Sequence, residues 1–276
     1  MSAILRFAPS PNGYLHLGHA YSALLTWRAA AALGGTTLLR IEDIDPARSK
    51  PEFDLALQED LTWLGLAWPE PVLRQSRHLS AYHAAAARLG DLLYACDCTR
   101  SEIAARSVGR TDPDGTPLYD GKCRRHGIAG GRPVQMRLDM HAAMERAGPR
   151  SIAMLPVHDT DVEFDRGQVR EANPSRWGDA VIIRKDTPTS YHLSVVVDDA
   201  AQSITHVTRG QDLEAATDLH VLLQALLGLP SPLYAHHPLI RDAARQKLSK
   251  SRRSLSLRDL RAAGWSPADV RRELGF

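Results

Sequence analysis

Apolar positions in the first third of the chain switch between two periods. Residues 3–8 (AILRFA) form a short apolar run, the pattern of a buried strand, and Pro9, Pro11 and Asn12-Gly13 stop it in a turn. From 18 to 33 the spacing changes to three and four. Leu17, Tyr21, Leu24, Trp27 and Ala31 fall on one face, and Gly34-Gly35 ends the run. Residues 36–41 (TTLLRI) read as a second strand. A helix is predicted over about 50–65, carrying Phe53, Leu57, Leu61 and Leu64. Strand, glycine-containing turn, helix, strand is the opening of a parallel α/β sheet.

Residues 94–179 break this rhythm. They hold all three cysteines, many Gly and Pro, and only short apolar segments, so they read as an inserted small domain. Strand-like alternation resumes over 181–184, 191–197 and 204–208. A helix is predicted over about 212–227, with Ala216, Leu219, Leu223 and Leu226 on one face and Gly228 and Pro230 beyond its end. Two short helices are expected in the tail, the second opened by Ser266, Pro267 and Asp269 as N-cap, first residue and acid. The expected division is 1–93, first half of the core; 94–179, insertion; 180–235, second half; 236–276, a loop and helical tail.

Composition adds mostly exclusions. Hydrophobic residues make up 43% and charged residues 24% of 276, the balance of a soluble globular protein. No apolar run reaches the ~18 residues of a membrane helix, and MSAILRFAPSPNG is too short and too punctuated for a signal peptide. Three cysteines exclude a disulfide scaffold, so a cytoplasmic location is expected. Net charge is only +2, but from Arg241 onward ten Lys/Arg face four Asp/Glu, a local +6. A solvated helix pair and a phosphate-facing surface both fit that excess.

Two segments carry candidate phosphate chemistry. His16-Leu17-Gly18-His19 lies between the first strand and first helix, where backbone N–H groups and two imidazoles share one space. Gly18 would let a nucleotide approach the backbone. Lys247-Leu248-Ser249-Lys250-Ser251 places two lysines at i and i+3 in a loop. Each segment alone also fits an ordinary surface role. Together they would bind the two sides of a triphosphate and stabilise charge growing at its α-phosphorus.

RFAPSPNGYLHLGHA, RIEDIDPARS, TRGQDL and QKLSKS, in that order, resemble the catalytic core of class I aminoacyl-tRNA synthetases of the glutamyl type. The resemblance covers essentially the whole chain. HLGH corresponds to the family's first signature and KLSKS to its second, with Leu248 in place of Met. It implies a Rossmann-like parallel-sheet core with an inserted zinc-containing α+β domain, ATP as substrate, catalytic roles for His16, His19, Lys247 and Lys250, and ATP binding by His16, Gly18, His19 and Lys250.

A glutamate pocket needs cations for two carboxylates and an acid for the ammonium. Arg6, Glu42 and Arg209 all sit near strand C-terminal ends, where such sheets bind ligands, and arginine binds carboxylate bidentately. On position alone, each arginine reads first as an ordinary salt-bridge residue. The resemblance implies that Arg6, Phe7, Ala8, Pro9 and Ser10 bind L-glutamate together with Glu42, Tyr191 and Arg209. Asp43 and Asp45 are read as turn and cap residues, and His236 and His237 as structural.

Cys96, Cys98 and Cys123 fall within 28 residues and suggest zinc, although the spacing is no standard pair of CxxC knuckles. Small buried thiols remain the alternative. His126 and Tyr119 compete as fourth ligand. The resemblance favours Tyr119, with the site structural. Magnesium is expected with ATP, without assigned ligands.

The chain ends about 25 residues after KLSKS, where a full glutamyl-type synthetase continues into an anticodon-binding region. In this it resembles the glutamyl-queuosine tRNA(Asp) synthetase family. That resemblance implies tRNA-independent activation of glutamate to glutamyl-adenylate and transfer to queuosine at the first anticodon position of tRNA(Asp); a monomer is expected. Charging of a tRNA 3′ end, or a non-catalytic tRNA-binding role, are the alternatives.

Overall fold

The computed structural model describes residues 2–240 and 255–276. The first half runs β1 (Ile4–Phe7), α1 (Leu17–Ala32), β2 (Thr36–Ile41), α2 (Pro51–Trp63), β3 (Leu73–Arg74), α3 (Leu79–Leu89), β4 (Leu93–Cys96). Next come α4 (Arg100–Ser107), α5 (Lys122–His126), β5 (Gln135–Leu138), α6 (Met140–Ala147), β6 (Ser151–Leu155), β7 (Val157–His158), β8 (Asp161–Val162) and β9 (Gln168–Glu171). The chain continues through β10 (Val181–Ile183), α7 (Tyr191–Ala201), β11 (His206–Gly210), α8 (Glu214–Leu226), β12 (Leu233–His237), α9 (Leu257–Ala262) and α10 (Pro267–Leu274).

Two half-sheets build the core. β1, β2 and β3 are parallel, and β11, β12 and β6 are parallel with β9 antiparallel at the edge. They abut where β1 meets β11. There the Thr205 amide donates to the Ile4 carbonyl at 2.9 Å, and the Ile4 amide donates to Thr205 Oγ1 at 2.9 Å. β4, β5 and β10 form a separate antiparallel sheet.

The expected opening is present. α1 buries Ala20, Tyr21, Leu24 and Leu25 against Leu5 of β1 and Leu39 and Ile41 of β2. The return turn requires Gly35, since a Cβ there would lie 2.3 Å from the Ala3 carbonyl oxygen. In the tail, Ser266 and Asp269 form a reciprocal capping box with Pro267 in the first turn.

Residues 191–197, expected as strand, are helical in α7. Ser190 caps the first turn, and Leu193, Val195 and Val196 pack into a core shared with α3, α6 and α8. Tertiary burial outweighs the β preference of the valine run. Strand pairing also crosses the division expected at 179/180, because β6 joins β12 in the second half-sheet. Among the described residues, no helix is long and apolar enough to cross a membrane.

Candidate active site

A cavity of about 950 Å³ opens at the C-terminal ends of β1, β2 and β11, at the seam of the half-sheets. Strand ends at such a junction are where parallel α/β sheets bind ligands. Arg6, Phe7, Ala8, Pro9 and Ser10 line it from the first strand and its turn, and Glu42, Tyr191 and Arg209 line it from three other elements. His16, Gly18 and His19 complete the wall at the start of α1.

His16 is the N-cap of α1. Its Nδ1 accepts the Gly18 amide at 3.1 Å, and His19 Nδ1 accepts the His16 amide at 3.2 Å. With both Nδ1 atoms acting as acceptors, the neutral rings carry their protons on Nε2. Each imidazole is therefore an N–H donor on its other side. A Cβ on Gly18 would lie 3.0 Å from His16 Cε1, so a side chain there would crowd the capping imidazole.

Arg6 is buried and gives its Nε–H to Asp199 Oδ1 at 3.0 Å. The same oxygen accepts from Arg40 Nη2 at 2.6 Å. Burial opposes ionisation of Asp199, but the two guanidiniums outweigh it and hold the carboxyl below its usual range. Glu42 follows β2, its amide donating to the Pro9 carbonyl at 3.1 Å. Burial pushes its carboxyl up to about 7, against the pull of Arg40 and Arg6.

Arg209 is also buried, but its partners are uncharged. It bonds His236 Nε2 at 3.3 Å, His220 Nδ1 at 3.2 Å and Thr217 Oγ1 at 2.6 Å. Among the described residues no carboxylate forms a salt bridge with it. Tyr191, at the start of α7, packs edge-on against His220 with ring centroids 5.6 Å apart.

Lys247 and Lys250 lie outside the described residues. The residues flanking that segment are at the cavity. Leu239 and Ile240 line it on one side; on the other, Ser256 pairs with His16 in a β-bridge and the Leu257 amide donates to the Leu15 carbonyl at 2.7 Å.

Sequence reasoning missed several wall residues. Arg48 and Lys50 add positive charge, and His237 lines the cavity from β12, a strand the pattern did not reveal. Asp199 also went unread, its signal hidden by the strand-like reading of the valines before it. Asp45 accepts the Ala47 amide in a local turn, and Asp43 takes the Ser76 amide and hydroxyl at 2.8 and 2.6 Å.

Far along the chain, Cys96, Cys98 and Cys123 are buried with their sulfurs within 4.8 Å of one another. The Tyr119 hydroxyl belongs to the same group and accepts the Cys123 amide at 2.7 Å. It also bonds Cys96, whose thiol is lowered to about 7: burial opposes this, and the Tyr119 and Arg137 hydrogen bonds overcome it. His126 is exposed at the end of α5 and does not join the group. Four clustered donors, three of them soft sulfurs, fit a closed tetrahedral metal site.

The family of "tRNA synthetases class I (E and Q), catalytic domain" matches residues 3–274. A Rhodobacter capsulatus protein named glutamyl-Q tRNA(Asp) synthetase is 48% identical, over 99% of this chain and 100% of its own length. A glutamate–tRNA ligase of Prochlorococcus marinus is 37% identical over 96% of this chain, which spans 56% of that protein. The glutamate-tRNA synthetase structure from Elizabethkingia anophelis superposes with a TM-score of 0.71 at 28% identity, covering 96% of this chain and 54% of that one. Methionyl-tRNA synthetase of Mycobacterium tuberculosis shares the fold, at TM-score 0.60 and 13% identity over 99% of this chain and 63% of that one. Sequence match and superposition thus agree over nearly the whole chain, which belongs to the class I aminoacyl-tRNA synthetases of the glutamate and glutamine type, a family of ligases.

Proposed function

We propose that this protein activates L-glutamate with ATP, without tRNA, and transfers the glutamyl group to queuosine at the first anticodon position of tRNA(Asp). The observation that carries the reading is one cavity in which two buried arginines and Glu42 face the paired imidazoles of His16 and His19. Arg6 and Arg209 suit the two carboxylates, and Glu42 suits the ammonium. Phe7, Ala8, Pro9, Ser10 and Tyr191 shape the amino-acid end; Gly18 and the Nε2–H groups of His16 and His19 face the phosphates. The queuosine acceptor follows the name of relatives such as the Rhodobacter protein, which this chain matches end to end.

In the first step an α-carboxylate oxygen of glutamate bonds to the α-phosphorus of ATP. The bond to the bridging oxygen breaks, and pyrophosphate leaves. In the second, a hydroxyl of the queuosine cyclopentenediol attacks the adenylate carbonyl, forming an ester, losing its proton to solvent and expelling AMP. Positioning and electrostatics carry both steps. Lys250 acts on the polyphosphate with Lys247. Magnesium bound with ATP would neutralise phosphate charge. Zinc, held by Cys96, Cys98, Tyr119 and Cys123, would supply a structural cross-link within the insertion read over residues 94–179. A cytoplasmic monomer fits this role.

The test has two stages. Glutamate-dependent exchange of pyrophosphate into ATP is expected without tRNA, and Lys250→Ala should lower it by roughly 100-fold. Labelled glutamate should then transfer to tRNA(Asp) bearing queuosine, and not to tRNA(Asp) bearing guanine. Transfer should survive removal of the 3′ terminal adenosine. Label lost with that adenosine would mean ordinary 3′-end charging and would refute the proposal.

A further inference from the structure

The surroundings of Arg209 differ from those of the other two buried arginines at this end of the sheet. Arg6 and Arg40 share the carboxylate of Asp199. Arg209 is 4% exposed and lies over the Tyr234 ring at 5.3 Å, yet among the described residues its hydrogen-bond partners are His236, His220 and Thr217, none of them a carboxylate.

Hydrogen-bond direction fixes the chemistry of these contacts. A guanidinium has five N–H groups and no acceptor. Its Nε–H must therefore donate to His236 Nε2, one Nη1–H to His220 Nδ1, and one Nη2–H to Thr217 Oγ1. An imidazole nitrogen that accepts cannot carry a proton. His220 is thus protonated on Nε2 alone, which lies 3.2 Å from His192 Nδ1 and donates to it. His236 is protonated on Nδ1, a buried atom with no partner among the described residues. Three N–H groups are consumed and two remain, one on each Nη, as donors for a carboxylate.

We propose that His220, His236 and Thr217 are positioning residues that lock the guanidinium of Arg209 in one orientation while leaving its full charge for a side-chain carboxylate of the substrate. An Asp or Glu in any of these places would hold the arginine as well but would neutralise it. Uncharged acceptors orient without neutralising, so the charge is satisfied only when a dicarboxylate arrives. A neutral amide analogue would leave a buried cation unpaired, which favours the acid over its amide. Burial, helped by the Arg209 charge, drives His220 well below its ordinary range and His192 down to about 4, consistent with neutral rings. The inference deepens the glutamate reading and rests on it for the substrate, but not for the state of the histidines.

The test combines kinetics with nitrogen-15 NMR of histidine-labelled protein. In glutamate-dependent exchange, His220→Leu should raise the glutamate KM about tenfold or more, with the ATP KM within about twofold. His220→Asn, which restores an acceptor near the Nδ1 position, should recover most of the loss. His220→Asp should not recover it, because it keeps the acceptor but cancels the charge. At neutral pH the spectrum of the unaltered protein should show His220 protonated only on Nε2 and His236 only on Nδ1. An unchanged glutamate KM in His220→Leu, or full activity in His220→Asp, overturns the proposal. So does an imidazolium or the opposite tautomer at either ring, a result that depends on no variant folding. If the unaltered protein neither exchanges pyrophosphate nor binds glutamate while the tautomers are as stated, the glutamate assignment fails and the locked arginine stands.

Discussion

Burial pushes the Glu42 carboxyl up from an ordinary 4.5 to about 7, with Arg40 and Arg6 pulling the other way. Two consequences follow from that one shift. The folded protein holds this proton more tightly than the unfolded chain does. Glu42 therefore favours folding most below about 4.5, and that contribution is lost as pH rises through about 7. A substrate ammonium binds the ionised form, so glutamate affinity should run the opposite way and weaken about tenfold between pH 8 and pH 6. Calorimetric titration of glutamate across that range checks this, and Glu42→Gln should bind weakly and without the slope. A slope that persists in Glu42→Gln would assign the titration to another group. At this scale the sequence was informative wherever a residue lay in a contiguous signature. Arg6 and Glu42 sit in such runs and both line the cavity. Asp199 and His237 do not; they reach the site only because α7 and β12 pack beside β1 and β11, which no local spacing encodes.

Helix α1 uses one side chain for two tasks. His16 caps the helix through Nδ1 and faces the cavity with its other edge. The tasks separate by substitution. His16→Ala should lose about 1 kcal/mol of stability, measured by urea unfolding, because an orphan amide at the helix start is left bare. His16→Asn restores a good N-cap and should stay within about 0.5 kcal/mol of the parent. Both should lose most glutamate-dependent exchange; activity in His16→Asn would reduce His16 to a cap. Elements with clear punctuation were legible: β1, α1, β2 and α10 each have a turn or cap that the residues themselves announce. α7 was not, because Val195, Val196 and Val197 mimic a strand and only packing against α3 and α8 settles the matter. β12 was missed for a related reason, since its two histidines read as polar although both are buried.

For the molecule as a whole, the cysteine cluster and the cavity belong to different sheets. β4 leads into the cluster, whereas β1, β2 and β11 carry the cavity. Loss of the metal should therefore act on folding more than on activation. Cys98→Ser should release zinc and lower the melting temperature, while pyrophosphate exchange stays within about threefold of the parent at a permissive temperature. Protein purified without chelators and lacking stoichiometric zinc would remove the metal from the account. The seam between the half-sheets has a different consequence. Arg6 is on one side of it and Arg209 on the other, and where Ile4 meets Thr205 one bond is backbone to backbone while the other is taken by the threonine hydroxyl. A dicarboxylate gripped from both sides would act as a removable rivet between two plates. The amides of Ile4 and Thr205 should then exchange with deuterium more slowly as glutamate is added, by a factor that grows with ligand concentration over its dissociation constant, while the amides of β4 keep their rate.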